Sequence, residues 1–349
     1  VGMLVSGQVG YQDGATTAIT NSDGSVVLSA GYNVTNGLIN TAPVNNVGAN
    51  ITVNDIIFRS NVLAHASGAF LGQPLLAVPP IGGPVTALPP PQNGRFIVQG
   101  NGTVLGDTSA TLNVNANRIA GATGTLTVRS DGRAGTGGNA AINVNGGTLL
   151  AVGGLSVIAN GVSDPTLGLG TGTGGTANLS VTAGGVAVTN NLLVSATGTG
   201  GINDSGTGGT GTGGTASITV SGTGSQLSAN AVTLDASGFG GGLTTASSGV
   251  TTAVDEGGNG QGGNALLTVA NGGSLSVVNG GVVLNANGAG EVGNVQSGNG
   301  TGGTARVTIT GDLTSYNTAF TVANAIGVGG GSFSRSPVGT FFSANGGDG

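Results

Sequence analysis

The chain has 349 residues, of which 75 are glycine, 6% charged and 3% aromatic, with no cysteine, no tryptophan and a net charge of −6. Its seven cations are all arginine, and this sparse, acidic balance excludes a nucleic-acid-binding surface, which needs clustered Lys or Arg. A 37% hydrophobic content is too high for a disordered Gly/Ser linker, and the glycines lack the every-third-residue period of collagen.

Val, Thr, Ile, Gly and Asn dominate while strong helix formers are scarce, which favours strands and turns. From the N-terminus, "DGSVVLSAGYNVTNG" (Asp23 to Gly37) and "NITVNDIIFRSNVLAHASGAF" (Asn50 to Phe70) alternate apolar and polar residues as strands do. Between Gln73 and Asn93 lie seven of the ten prolines. Proline cannot donate to a strand ladder, so 73–93 reads as an excursion from the body in an extended conformation. Alternation resumes through "TSATLNVNANRIA" and "TGTLTVRSDG" (Thr108 to Gly132). The expected organisation is an N-terminal β-solenoid region over 1–100 and a repeat solenoid over 101–349, continuous with each other.

The repeat declares itself in the word Gly-Gly-[Thr/Asn]-Ala, which starts at Gly137, Gly174, Gly213, Gly262 and Gly302, at spacings of 37, 39, 49 and 40 residues. A supersecondary unit of this size marks a solenoid or a propeller. Each unit opens with a strand whose inward residues are small then branched: Ala177-Leu179-Val181, Ala216-Ile218-Val220, Ala265-Leu267-Val269. A glycine turn leads to a second short strand centred on Leu149, Val186, Leu227, Leu275 or Leu313. A third follows, centred on Val157, Val194, Leu234, Leu284 or Val322. A glycine tail closes each unit, at about 160–173, 197–212, 237–261 and 287–301. Three strands and one loop per unit predict an all-β fold, a right-handed parallel β-helix with Gly-rich loops. Equivalent residues of successive coils would then stack about 4.8 Å apart. Each inward aliphatic side chain contributes roughly 1.5–3 kcal/mol on burial, enough for ordered coils but not for the tails, which are expected to be softer. The tail's return into the next coil is expected to use glycine for a positive φ. A propeller would need four strands per blade and aromatic signatures, which are missing.

The words "GSVVLSAGYNV", "NVLAHASGAF" and the iterated "GTGGTA-x-[LI]-x-V" resemble large bacterial surface proteins of the filamentous haemagglutinin and autotransporter-adhesin type. The resemblance implies a right-handed parallel β-helix, export to the cell surface, and a part in attachment or surface filaments. Solenoid ends expose unpaired strand edges, so the expected partners are a second copy, end to end or side by side, or further coils of a longer parent chain. A host surface or glycan read by the loops is the alternative partner. No apolar run is long enough to span a membrane. With no signal peptide at Val1, the chain reads as a mature or internal segment.

Catalytic signals are thin. His65 has no second histidine and no cysteine to join it, so it reads as a strand residue and not a metal ligand. "GNGQGG" and "GTGTGG" lack the Lys-Ser/Thr and following helix of a phosphate loop. The acids do not cluster with a basic partner, so no polysaccharide-cleaving constellation is visible and no cofactor is expected. The glycine loops do carry carboxylates, among them Asp164, Asp204, Asp255, Glu256 and Glu291. Two readings compete. One charge per loop keeps a neutral surface soluble, or stacked loops bind Ca²⁺ weakly through carboxylate and carbonyl oxygens. The outward row Ser180, Thr219, Thr268, Thr308 is expected of half-exposed strands, although hydroxyl rows of this kind also occur on ice-binding surfaces.

Overall fold

The computed structural model describes residues 134–163, 170–201, 207–242, 256–293 and 296–330, most of 109–130, and elsewhere only the backbone of strands. Among the described residues there is no helix, and each repeat is one coil of a parallel β-solenoid. In one coil the body strands are Thr176–Thr182, Val186–Thr189 and Asn191–Ser195. In the next they are Thr215–Ser221, Gln226–Ala229 and Ala231–Asp235. Each strand pairs in parallel with its counterparts in adjacent coils, so three sheets run along the molecule and gain one strand per coil. Backbone pairing carries these sheets towards the N-terminus, where Ala49–Thr52, Ile56–Phe58 and Val62–Ala66 pair with Ser109–Asn115, Arg95–Val98 and Gly102–Gly106. The proline-rich excursion at 73–93 lies outside the described residues.

The first body strand does what its period-two pattern dictates. Ile142, Leu179, Ile218 and Leu267 stand in register and are at most 1% exposed, with Ala140, Ala177, Ala216 and Ala265 forming a second buried column. Neighbouring columns of Val144, Val181, Val220 and Val269 complete an aliphatic layer facing the other two sheets.

The shorter strands depart from the sequence reading by one residue in places. Ala187, not Val186, stands between Leu149 and Leu227 in the core, while Val186 pairs with Thr148 and Gln226 on the outer face. In this four-residue strand both valines, Val186 and Val188, stand on the outer face with Ala187 and Thr189 inside, so the larger apolar residues mark the wrong phase. In the last described coil Ala323 takes the inner position next to Leu284, and Val322 points outward. Tyr316 replaces Leu313 beside Leu275.

The Leu313 shift has a cause in turn length. Two coils make the first turn with three residues, 183–185 and 271–273, and two with four, 222–225 and 311–314. The extra residue costs a coil-to-coil backbone bond, and a hydroxyl replaces it. Ser225 Oγ accepts from Gly184 N at 3.1 Å and donates to Ser221 O at 2.8 Å. Thr314 Oγ1 does the same with Gly272 N and Thr310 O. The longer turn also needs a left-handed residue at its third position, which is Gly224 (φ 82°) in one coil and Leu313 (φ 60°) in the other. Leu313 is 88% exposed, so its side chain contributes little packing. Leu313→Gly is therefore expected to raise stability by about 1 kcal/mol, the cost of a left-handed side-chain residue, read as an upward shift of the denaturation midpoint.

Candidate functional site

The described parts of the glycine tails form a second structure, an arm of two strands per coil beside the body. After the third body strand the chain continues into an outgoing strand, Gly198–Thr199, Gly238–Phe239 or Gly288–Ala289 in successive coils. It then comes back along a return strand, Gly211–Thr212, Gly260–Gln261 or Gly300–Thr301. Outgoing strands stack into a five-stranded sheet and return strands into a four-stranded one.

Glycine is required here by proximity. A Cβ on Gly198 would lie 1.9 Å from Thr212 O, and one on Gly211 would lie 1.8 Å from Phe239 O. The two sheets thus meet backbone to backbone, with no side-chain layer between them. At the neck of the arm, Gly175, Gly214, Gly263 and Gly303 each donate an N–H across the layers, to Ala159, Ala196, Ala236 and Ala286, every bond being 2.7 Å. Further out, cross-layer bonds climb from coil to coil: Gly209 N to Gly201 O, Gly241 N to Gly209 O, Gly258 N to Gly241 O. The sequence expectation of a positive φ is met at Gly135 (φ 78°) but not at neck glycines such as Gly174 and Gly213. They are glycine because a Cβ would strike Ala196 O at 2.0 Å or Ala236 O at 1.8 Å.

Two faces result. The return strands and the first body strands share one, whose outward columns are almost uncharged. Thr173, Thr212, Gln261 and Thr301 form one column, flanked by Thr171, Thr210, Asn259 and Asn299. On the body, Asn143, Ser180, Thr219, Thr268 and Thr308 align as the sequence indicated, with Asn178, Ser217, Leu266 and Arg306 beside them. Side chains join neighbouring coils here, Ser217 Oγ to Asn178 Oδ1 at 3.0 Å and Asn143 Nδ2 to Asn113 Oδ1 at 2.9 Å. The outgoing sheet is different. Its outer column of Val162, Thr199, Phe239, Ala289 and Val328 is largely apolar.

Of the candidate acids, Asp164, Asp204 and Asp255 lie outside the described residues. Glu256 is exposed before the return strand, bridged to Gln296, and its carbonyl accepts from Gly208 N at 2.8 Å. Glu291 is half-buried after the outgoing strand, with its carboxylate over Gly242. The two therefore sit on different layers of the arm. Among the described residues no three His, Cys, Asp or Glu side chains are grouped as a metal site would require. His65 is placed by backbone only, opposite Leu105. Sequence reasoning missed the arm because glycine runs carry no hydrophobic period. The available signal was the strict Gly-x-Gly spacing of "TGTGG", which puts glycine on one face of an extended strand.

No family model, curated protein or solved structure matches the chain.

Proposed function

We propose that the chain is a structural segment of a bacterial surface protein, an extracellular β-solenoid shaft or filament subunit that supports adhesion or matrix formation, and not an enzyme. The observation that supports it most is one-dimensional repetition: all five parallel sheets gain one strand per coil, and the described core is aliphatic throughout. A solenoid of this kind is stabilised by nearest-neighbour coil contacts and lengthens without limit in principle. The outermost described coil presents core-type positions, with Ile309 48% exposed where its neighbour Val269 is fully buried. A further coil, from the same polypeptide or from a second copy packed end to end, would bury them.

Electron microscopy of the native material tests this. Rods or filaments of uniform width are expected, whereas compact, monodisperse particles at high concentration would contradict polymerisation. Incubation with polysaccharides is expected to release no reducing ends.

The second reading is an adhesin whose arms contact a host surface or glycan. It draws on coil length, which changes mainly in the arm. Residues paired side chain to side chain are 39 apart between Asn178 and Ser217 and 49 apart between Asn230 and Asn279, and the sequence between outgoing and return strands is correspondingly longer from Gly238–Phe239 to Gly260–Gln261 than from Gly198–Thr199 to Gly211–Thr212. Connections of variable length on a repeated scaffold are the usual place for recognition.

In the same proposal the arm carboxylates act by charge, keeping a neutral polar surface soluble. Millimolar Ca²⁺ is then expected to shift the melting temperature no more than Mg²⁺ does. A rise specific to Ca²⁺ would assign the arms a metal site instead.

A further inference from the structure

The face shared by the return strands and the first body strands is regular from coil to coil, and along each strand within its own sheet. Neighbouring coils repeat every ~4.8 Å, and outward residues along each strand repeat about every 6.6 Å. Over this lattice the columns carry Thr, Ser, Asn and Gln, interrupted by Ala141, Leu266, Ala270 and Arg306. Thr171-Gly-Thr173 and Thr210-Gly-Thr212 stand side by side in adjacent coils, each offering two hydroxyls and two methyl groups on a rigid backing. The backing is rigid because the glycines between them lock onto the outgoing layer, Gly172 against Thr199 O and Gly211 against Phe239 O.

We propose that this face binds the surface of ice. The chemistry selects that partner by elimination and by fit. A face with one guanidinium and no carboxylate in these columns gives charged polymers nothing to pair with. It has no aromatic platform, so sugar rings have nothing to stack on. An ordered water lattice is the partner for which many weak, evenly spaced contacts add up, with threonine methyls settling between the anchored waters. The row at Thr219 continues the array onto the body, so the face is two sheets wide.

The inference does not rest on the surface-shaft proposal, and either can fail alone. The test uses the full chain, partitioned between a slowly growing ice hemisphere and the liquid, with serum albumin as the excluded control. Ice recrystallisation is followed in parallel. Wild type is expected to be enriched in the ice fraction. Thr173→Lys and Thr212→Lys are expected to abolish the enrichment, while Val162→Lys and Thr199→Lys, on the opposite layer, retain it. Thr212→Val, which keeps the side-chain shape, serves as a second variant if the lysine variants lose their far-ultraviolet signature. Exclusion of wild type from ice would overturn the proposal. So would enrichment that both sets of lysine variants share, which would place any ice contact elsewhere. Sedimentation with microcrystalline cellulose but not with ice would overturn it in favour of a glycan.

Discussion

Gly213→Ala is expected to destabilise the coil by at least about 3 kcal/mol, the upper end of what extra atoms cost in a packed interior. The added methyl would lie 1.8 Å from Ala236 O and 2.6 Å from Gly263 N. Both obstacles are backbone atoms, and both are engaged: Gly263 N donates to Ala236 O at 2.7 Å. No rotamer can turn away, so the layers must separate, and separation breaks the neck bond of that coil and strains those on either side. Thr212→Ala, one residue away on the outer face, is expected to stay within about 0.5 kcal/mol of wild type, as surface changes usually do. Chemical denaturation followed by circular dichroism compares the two. If both variants unfold with the wild-type midpoint, the layers are not in backbone contact.

The second large effect belongs to the body. Ile218→Ala is expected to cost 2–5 kcal/mol, the usual range for a buried Ile truncation, and to fall in the upper half of it, about 4 kcal/mol. The reason is that the column cannot collapse. Leu179 and Leu267 above and below are fixed at the strand spacing by continuous backbone pairing, as are Ala177, Ala216 and Ala265 alongside. A cavity in such a column stays open. Val307→Ala, at the same position in the outermost described coil but only half-buried, should cost distinctly less. Equal costs at the two positions would show that the stacked column is not what stabilises the coil.

These two residues also show how far the sequence could be read. Ile218 was legible because its strand alternates strictly over seven residues, from Thr215 to Ser221, with small or branched groups inside and hydroxyls outside. The outward row at Ser180 and Thr219 followed from the same phase. The second strand was harder. Val186-Ala187-Val188 is apolar in every phase, and its burial is decided by the Leu149 and Leu227 neighbours, which are 38 to 40 residues distant in sequence. Leu313 reads as a strand residue because leucine is usually inside. It sits in a turn made one residue longer than its neighbours, where a hydroxyl at Thr314 restores the bonding. The arm was illegible for a deeper reason. Hydrophobic pattern reports burial of apolar side chains, and the described arm strands meet main chain against main chain.

The candidate acids divide the same way. Glu256 and Glu291 stand on opposite layers because one precedes a return strand and the other follows an outgoing strand, an assignment that needs the tail to be folded first. Sequence spacing alone puts both in glycine loops and does not distinguish the layers.

Amide hydrogen exchange over the arm addresses the central claim, that the glycine runs are the inner faces of an ordered two-layer structure. Peptides covering 196–201 and 208–214 contain the donors Gly198, Gly200, Gly209, Gly211, Gly213 and Gly214, all hydrogen-bonded between coils or across layers. Protection there comparable to that of the body strand Thr215–Ser221 is the predicted result. Exchange at the unfolded-chain rate in those peptides, beside a protected body strand, would contradict it and return the tails to flexible loops.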